Sequence, residues 1–228
     1  MTYNSDSIEI LEGLEPVRRR PDMYTHTDNP NHIMQEILDN SCDEAVAGYA
    51  DKISMIIHSD HSVTVTDNGR GIPVDIHKKK KKSALEIIFT VLHAGGKLSE
   101  DKSNSAYGAS GGLHGVGVSV TNALSESLIS TVKRDGKIHK ISFSNGNVVE
   151  KINVIGECDI EDTGTTVFSK PNPKYFITNK LDVNALKELL ETKAILLSNV
   201  EVNLIIEHED KDNEEYSWKY EKGMTEYF

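Results

Sequence analysis

Cysteine is nearly absent: Cys42 and Cys158 are the only two in 228 residues, too few for a disulfide framework or a four-cysteine metal site. Proline is scarce, at 6, and no proline-rich or glycine-serine linker divides the chain. No apolar run approaches the ~18 residues that a bilayer crossing needs. The opening Met1-Thr2-Tyr3-Asn4-Ser5-Asp6 also lacks the charged-then-apolar pattern of a signal peptide. Membrane and secreted classes are excluded on this reading, and a reducing cytoplasm is the expected compartment. Positive charge is in deficit too, with 25 Lys and Arg against 36 Asp and Glu and a formal charge of −11. A domain that wrapped nucleic acid on its own surface would carry a basic balance or stripe. Arg18-Arg19-Arg20 and the five lysines Lys78 to Lys82 are local exceptions. Both read as solvated faces or loops, and the lysines have no interleaved aromatics on which bases would stack.

What remains is an ordinary globular composition, 37% apolar and 27% charged, long enough for one large domain with its own core. A short helix is expected from about Ser7 to Arg19, stopped by Pro21. Met34, Ile37, Leu38, Ser41, Cys42 and Ala45 recur at helical spacing, so a second helix runs from Asn31 to about Tyr49 and ends around Gly48. Strand patterns follow at Lys52–His58 and Ser62–Asp67, joined by a polar turn. Ala84–His93 reads as a helix, and Gly95 to Gly117 as a glycine-rich loop, holding 7 of the 16 glycines, that feeds a helix at Val116–Leu124. Further strands fall at Ser127–Lys133, Lys137–Phe143, Val148–Ile155, Thr165–Ser169, Glu201–Glu207 and Glu215–Tyr220, with a helix at Val183–Leu197. Early helices with antiparallel-type hairpins predict an α+β fold, one mostly antiparallel sheet covered on one face by helices.

Three constellations carry chemistry. On the second helix His32, Glu36, Asp39, Asn40 and Asp43 stand three, four or seven residues apart, on neighbouring positions of one face. Carboxylates at that spacing repel, and a divalent cation would relieve them; Mg²⁺ suits an amide oxygen such as that of Asn40. Glu36 is placed to take a proton from water, with His32 one turn away to tune it. Second, the strand ending at Asp67 runs straight into Asn68-Gly69-Arg70-Gly71, delivering a carboxylate beside backbone that a planar ligand can approach. Such a carboxylate accepts from an exocyclic amine and would select adenine over guanine. Third, Ser110-Gly111-Gly112-Leu113-His114-Gly115-Val116-Gly117 offers unobstructed backbone N–H groups at a helix start, which cradle anions. The preceding Gly95–Gly108 has the character of a lid. Neither a P-loop nor a G-x-G-x-x-G fingerprint is present, since Gly96-Lys97-Leu98 lacks the required Ser or Thr.

Glu36-Ile37-Leu38-Asp39-Asn40, Asp67-Asn68-Gly69-Arg70-Gly71-Ile72-Pro73 and Gly111-Gly112-Leu113-His114-Gly115-Val116-Gly117 resemble the successive nucleotide-site motifs of the GHKL ATPases. Within them the chain is similar, from Tyr3 to Tyr227, to the N-terminal ATPase domain of bacterial type II topoisomerase B subunits. Glu15-Pro16-Val17-Arg18-Arg19-Arg20-Pro21, Pro30-Asn31-His32, Arg134-Asp135-Gly136 and Lys193-Ala194-Ile195-Leu196-Leu197 point to the topoisomerase IV branch, with the gyrase B protein the near alternative. Histidine-kinase ATP-binding modules share two of the motifs, but they lack a general-base Glu at this place.

The resemblance implies a two-layer Bergerat sandwich that binds ATP and Mg²⁺. Glu36 would be the general base, supported by His32, and Asn40 would hold the Mg²⁺. Asp67 would bind the adenine amino group, partly through a water shared with Thr165. Arg70 would pair with Glu44 beneath the base, beside Gly71, Ile72 and Pro73, with Arg134 supporting this side. Gly112, Leu113, His114, Gly115, Val116, Gly117 and Val118 would wrap the phosphates. Tyr3, on an arm formed by residues 1–16, would reach into the partner's ATP site in a homodimer. Residues 17–220 would form the ATPase domain and 221–228 the start of the next. An A-type subunit and DNA would join in the full enzyme, ATP-competitive inhibitors would bind at the adenine site, and the isolated piece would turn over weakly. Asp22, where the family usually has Gly, the run Lys78–Lys82, and a few extra residues between Lys97 and Tyr107 depart from the pattern. Whether those lysines touch DNA is left open by the resemblance.

Overall fold

The computed structural model describes residues 10–94 and 115–227. Eight strands form one sheet: β1 (Lys52–Ile57), β2 (Val63–Asp67), β3 (Ser125–Arg134), β4 (Lys137–Ser144), β5 (Asn147–Glu157), β6 (Gly164–Pro171), β7 (Glu201–Ile206) and β8 (Glu214–Trp218). Their order is β5-β4-β3-β6-β2-β1-β7-β8. Among the described residues only the β1–β7 pair is parallel, with Met55 opposite Leu204, and every other neighbouring pair is antiparallel. The expected α+β class holds. The helices are α1 (Glu15–Arg19), α2 (Asn31–Val46), α3 (Ala84–Thr90), α4 (Gly117–Ala123), α5 (Val183–Leu196) and α6 (Met224–Tyr227). α2 and α4 pack on the middle of the sheet, and α5 lies over β7.

Strand alternation decides which face is dry. In β1 Ile53, Met55 and Ile57 are buried, in β7 Val202, Leu204 and Ile206, and in β3 Leu128 and Val132. They meet Ile33, Met34, Ile37 and Leu38 of α2 in one core. The same parity governs β2: Val63, Val65 and Asp67 point inward, so the strand's last residue delivers a carboxylate to the helix side of the sheet.

Several boundaries differ from the sequence expectation. The first helix starts only at Glu15, because Gly13 takes φ +59; residues 7–9 lie outside the described range. α2 stops at Val46, where Gly48 at φ +79 turns the chain and the Tyr49 and Ala50 N–H groups both return to the Glu44 carbonyl. α3 ends at Thr90, since Val91 is extended. The lid residues 95–108 are outside the described range as well.

Candidate nucleotide site

Three elements bring the chemistry together, and α2 is common to all of them. Ser41, on the core side of α2, donates to Asp67 Oδ2 at 2.9 Å, while the Gly69 N–H donates to Oδ1 at 2.9 Å. Asp67 is only 6% exposed. Burial therefore pushes its carboxyl above the usual carboxylate range, and the neighbouring Glu44 charge adds to this, while the bonds from Gly69 and Ser41 act in the opposite sense. Opposite Asp67 on β6 stands Thr165, whose hydroxyl accepts from the Ile72 N–H at 3.2 Å. The strand end, Thr165 and Ile72 thus form one wall.

Below that wall, Glu44 near the C-terminus of α2 holds Arg70 by a two-pronged ion pair. Nε donates to Oε2 at 3.0 Å and an Nη to Oε1 at 2.8 Å, and the Arg70 backbone N–H also reaches Oε2 at 3.0 Å. The Tyr49 ring stacks on the guanidinium, 3.7 Å from its centroid. A fork-to-fork pair of this kind fixes orientation as well as charge. Arg134, at the end of β3, donates to the carbonyls of Gly71 at 2.6 Å and Arg70 at 3.2 Å. Gly71 has φ +73 and leaves no room for a side chain, which would meet the Lys133 carbonyl at 2.7 Å. Here the glycine is required by both conformation and space.

Glu36 lies five residues before Ser41 on α2, about 7.5 Å along the axis at about 1.5 Å rise per residue. His32 Nε2 is 3.8 Å from its Oε1. The other ring nitrogen, Nδ1, is 2.8 Å from the Thr25 hydroxyl, and the His26 ring meets that of His32 edge-on at 5.2 Å. Burial and then His26 hold the His32 imidazole below its ordinary pKa, against an opposing pull from Asp39. The shift favours the neutral imidazole, with Nδ1 at the Thr25 hydroxyl and Nε2 facing the carboxylate. The amide nitrogen of Asn40 donates to the Glu36 carbonyl at 3.1 Å, so its oxygen is the atom with metal-ligand chemistry.

The start of α4 abuts this carboxylate. A Cβ on Gly117 would fall inside the Glu36 side chain. Thr121, one turn on, donates to the Ile33 carbonyl of α2 at 2.9 Å and fixes the crossing. Gly115 takes φ +62, and Val116 and Val118 pack against the core. Tyr3, Gly112, Leu113 and His114 lie outside the described residues.

The acidic face expected on α2 needs a correction. Asp39 Oδ1 pairs with Lys193 Nζ of α5 at 2.6 Å. Asp43 is buried, and the same lysine acts on it. The repulsion anticipated along this helix is relieved by a lysine, and no group of three or more His, Cys, Asp or Glu residues among the described residues is arranged to hold a metal. Sequence reasoning also missed Ser41, Thr25 and Thr121. Each is a short hydroxyl whose partner lies seven or more residues away, and no local pattern marks it.

Residues 25–171 match the family described as "Histidine kinase-, DNA gyrase B-, and HSP90-like ATPase". The chain belongs to this ATPase family. It is 52% identical over 226 residues to the B subunit of DNA topoisomerase 4 from Haemophilus influenzae, covering 99% of this chain and 34% of the relative. It is 49% identical over 229 residues to the B subunit of DNA gyrase from Thermotoga maritima, again covering 99% of this chain and 34% of the relative. The chain therefore spans about a third of the length of these curated relatives. Among solved structures, the topoisomerase IV ATP-binding domain of Francisella tularensis in complex with a small-molecule inhibitor superposes with a TM-score of 0.82 at 43% identity. That likeness covers 96% of this chain and 57% of the other. The chain thus falls with the ATPase domains of the topoisomerase IV and gyrase B branch, and its candidate site is the one built from α2, the turn after β2 and the start of α4.

Proposed function

We propose that this chain binds ATP in the groove between α2, the end of β2 and the start of α4, and that Glu36 activates water for attack on the terminal phosphate. The observation that carries the reading is a pair of carboxylates gathered along one helix. Asp67 is buried and tied to α2 through Ser41, and Glu36, on α2 itself and about a third exposed, presses on Gly117. Asp67 accepts from the exocyclic amine of adenine, Thr165 and Ile72 flank the base, and the Glu44–Arg70 pair with Arg134 stiffens the strip beneath it. Gly71 and Pro73 keep this strip flat against the ligand. On the phosphate side the backbone of Gly115 to Val118, with Gly112, Leu113 and His114 before it, supplies N–H donors.

Glu36 takes a proton from the water, and the neutral His32, set by Thr25, turns Nε2–H toward the resulting carboxylic acid and carboxylate alike. The amide oxygen of Asn40 fits Mg²⁺, which would bind through one or two protein oxygens and complete its shell with water and phosphate. When bound, the ion neutralises phosphate charge.

We further propose that the chain is the ATPase part of a topoisomerase IV B subunit, acting in the cytoplasm with an A-type subunit and DNA. Residues 17–220 would form the ATPase domain, residues 1–16 with Tyr3 the arm that completes a partner's site in a homodimer, and 221–228 the start of a further domain. No described helix is long and apolar enough to cross a membrane. The 49% identity to the gyrase relative makes gyrase the second reading. The likeness to an inhibitor-bound topoisomerase IV domain supports an ATP-competitive inhibitor at the adenine wall.

Thermal unfolding with Mg²⁺ and a non-hydrolysable ATP analogue tests the site. A ligand at 100 times its Kd stabilises by about 2.7 kcal/mol, which for a chain of this size raises Tm by roughly 5–10 °C. The guanosine analogue should give no shift, and Glu36→Ala should keep the adenosine shift. Equal shifts with both bases, or none with either, would refute the assignment.

A further inference from the structure

The run Lys78–Lys82 is not used by the nucleotide site, and its structure is not that of a slack loop. Ile76 and Ser83 form a bridge, the His77 N–H donates to the Lys82 carbonyl at 2.8 Å, and the Lys81 N–H returns to the His77 carbonyl at 2.9 Å. The Ala84 N–H closes the base of the turn on the Asp75 carbonyl at 2.9 Å. Lys81 is held at φ +56, a backbone conformation that a lysine rarely adopts. His77 Nδ1 accepts from the Lys80 N–H at 3.3 Å. All five lysines are exposed. Lys82 is committed to Glu86 at 2.6 Å, whereas no carboxylate among the described residues pairs with Lys78, Lys79, Lys80 or Lys81.

Like charges on consecutive residues repel one another. In a chain with 36 acidic against 25 basic residues, carboxylates to neutralise them are plentiful, yet none of the described ones pairs with these four lysines. A cluster of exposed ammonium groups carried on an ordered turn matches a partner with closely spaced negative charge. Duplex DNA carries one charge per about 1.7 Å of axis, and the choice of DNA over other polyanions rests on the proposed topoisomerase reading.

We propose that the Ile76–Ser83 turn is a docking surface for the phosphate backbone of duplex DNA, gripped by Lys78, Lys79, Lys80 and Lys81. Without aromatics to stack or a helix to enter a groove, the contact reads charge and not sequence. The turn runs from the strip beneath the base to α3, whose N-cap is Ser83, and the Phe89 carbonyl of α3 accepts from Asn122 of α4 at 2.9 Å. The DNA therefore lies on the segment joining the adenine side to the helix that faces Glu36.

Fluorescence anisotropy with a labelled 20-base-pair duplex of arbitrary sequence, titrated with the 228-residue chain over a series of salt concentrations, tests this. The variant K78S/K79S/K80S/K81S is compared with K151S/K180S/K219S/K222S, which removes the same charge from exposed positions elsewhere. The expected result is that the turn variant binds at least tenfold more weakly at low salt. Its log–log salt slope should fall by up to about 3.6, at about 0.9 per phosphate contact, while the control stays within threefold of wild type. The turn variant should also keep its thermal shift with the ATP analogue, which separates this surface from the nucleotide site. Equal losses in both variants, no duplex binding by the wild-type chain, or equally tight binding of polyglutamate would each overturn the proposal.

Discussion

Replacing Asp67 by Asn separates what this buried group does for the fold from what it does for a ligand. The carboxyl is 6% exposed and accepts two hydrogen bonds. Asn keeps an oxygen for the Gly69 N–H, and the Ser41 hydroxyl can rotate to accept from the new amide. The buried charge, which the site disfavours, is removed. The unfolding free energy at neutral pH should therefore change by no more than about 1 kcal/mol. The ligand loses more, because an acceptor is replaced by a donor facing the adenine amine. The loss of a charge-assisted hydrogen bond costs about 1.5–3 kcal/mol, or roughly 10- to 150-fold in Kd. The pH dependence has a definite sign. The Asp67 pKa is raised in the folded state, so the unfolded chain binds fewer protons between the ordinary and the raised value, and wild-type stability falls as pH rises through that window. The variant lacks this loss, and its advantage over wild type grows with pH across the window and then levels off. Urea unfolding across a pH series and calorimetric titration with the ATP analogue measure both quantities. A D67N chain that binds the analogue like wild type, or that loses several kcal/mol of stability at neutral pH, would refute the reasoning.

Other substitutions probe the rest of the site. Gly117→Ala must displace the Glu36 carboxylate. Gly117 is the first residue of α4, where little helix propensity is gained, and an off-rotamer Glu36 costs about 0.5–1.5 kcal/mol, so Tm should fall only slightly. Hydrolysis by an enzyme carrying the change should drop by roughly 10²–10⁴, and unchanged turnover would argue against Glu36 as the base. Arg70→Lys breaks the two-pronged bond to Glu44 and should cost about 1–3 kcal/mol of stability, together with analogue affinity; urea midpoints and titration check this. Lys193→Met leaves Asp39 facing α5 without its cation. With both side chains about a quarter exposed, the cost is discounted from the fully buried case to about 1–2 kcal/mol, readable in the urea midpoint.

Local pattern revealed the parts of the molecule whose causes are local. The apolar spacing of Met34, Ile37, Leu38 and Ser41 placed α2, and alternation from Val63 placed Asp67 at a strand end, because each depends on side-chain period alone. The parallel pairing of β1 with β7 joins residues about 150 positions apart, and no short-range period encodes it. Lys193 and Asp39 are similarly distant, so the lysine of α5 that neutralises part of the acidic helix face could not be read from the helix alone. The Glu44–Arg70 pair came from family resemblance, since nothing local distinguishes Glu44 from the other acids of the chain. Two dipeptides carry a local signal that the strand pattern alone does not use: Asp135-Gly136 and Asn145-Gly146 take φ of 53 and 73, and of 50 and 81, the conformations that tight hairpins require. They fix the β3–β4 and β4–β5 turns.

The bond from Lys193 to Asp39 gives the last helices a mechanical bearing on the nucleotide. α6 packs on α5, α5 grips α2 through that charge pair, and Asn40 is the next residue. A tug on residues 224–227 has two stiff rods and one electrostatic clasp to cross before it arrives at Asn40. Tension at this end of the chain and the placement of the residue proposed to hold Mg²⁺ therefore share one joint.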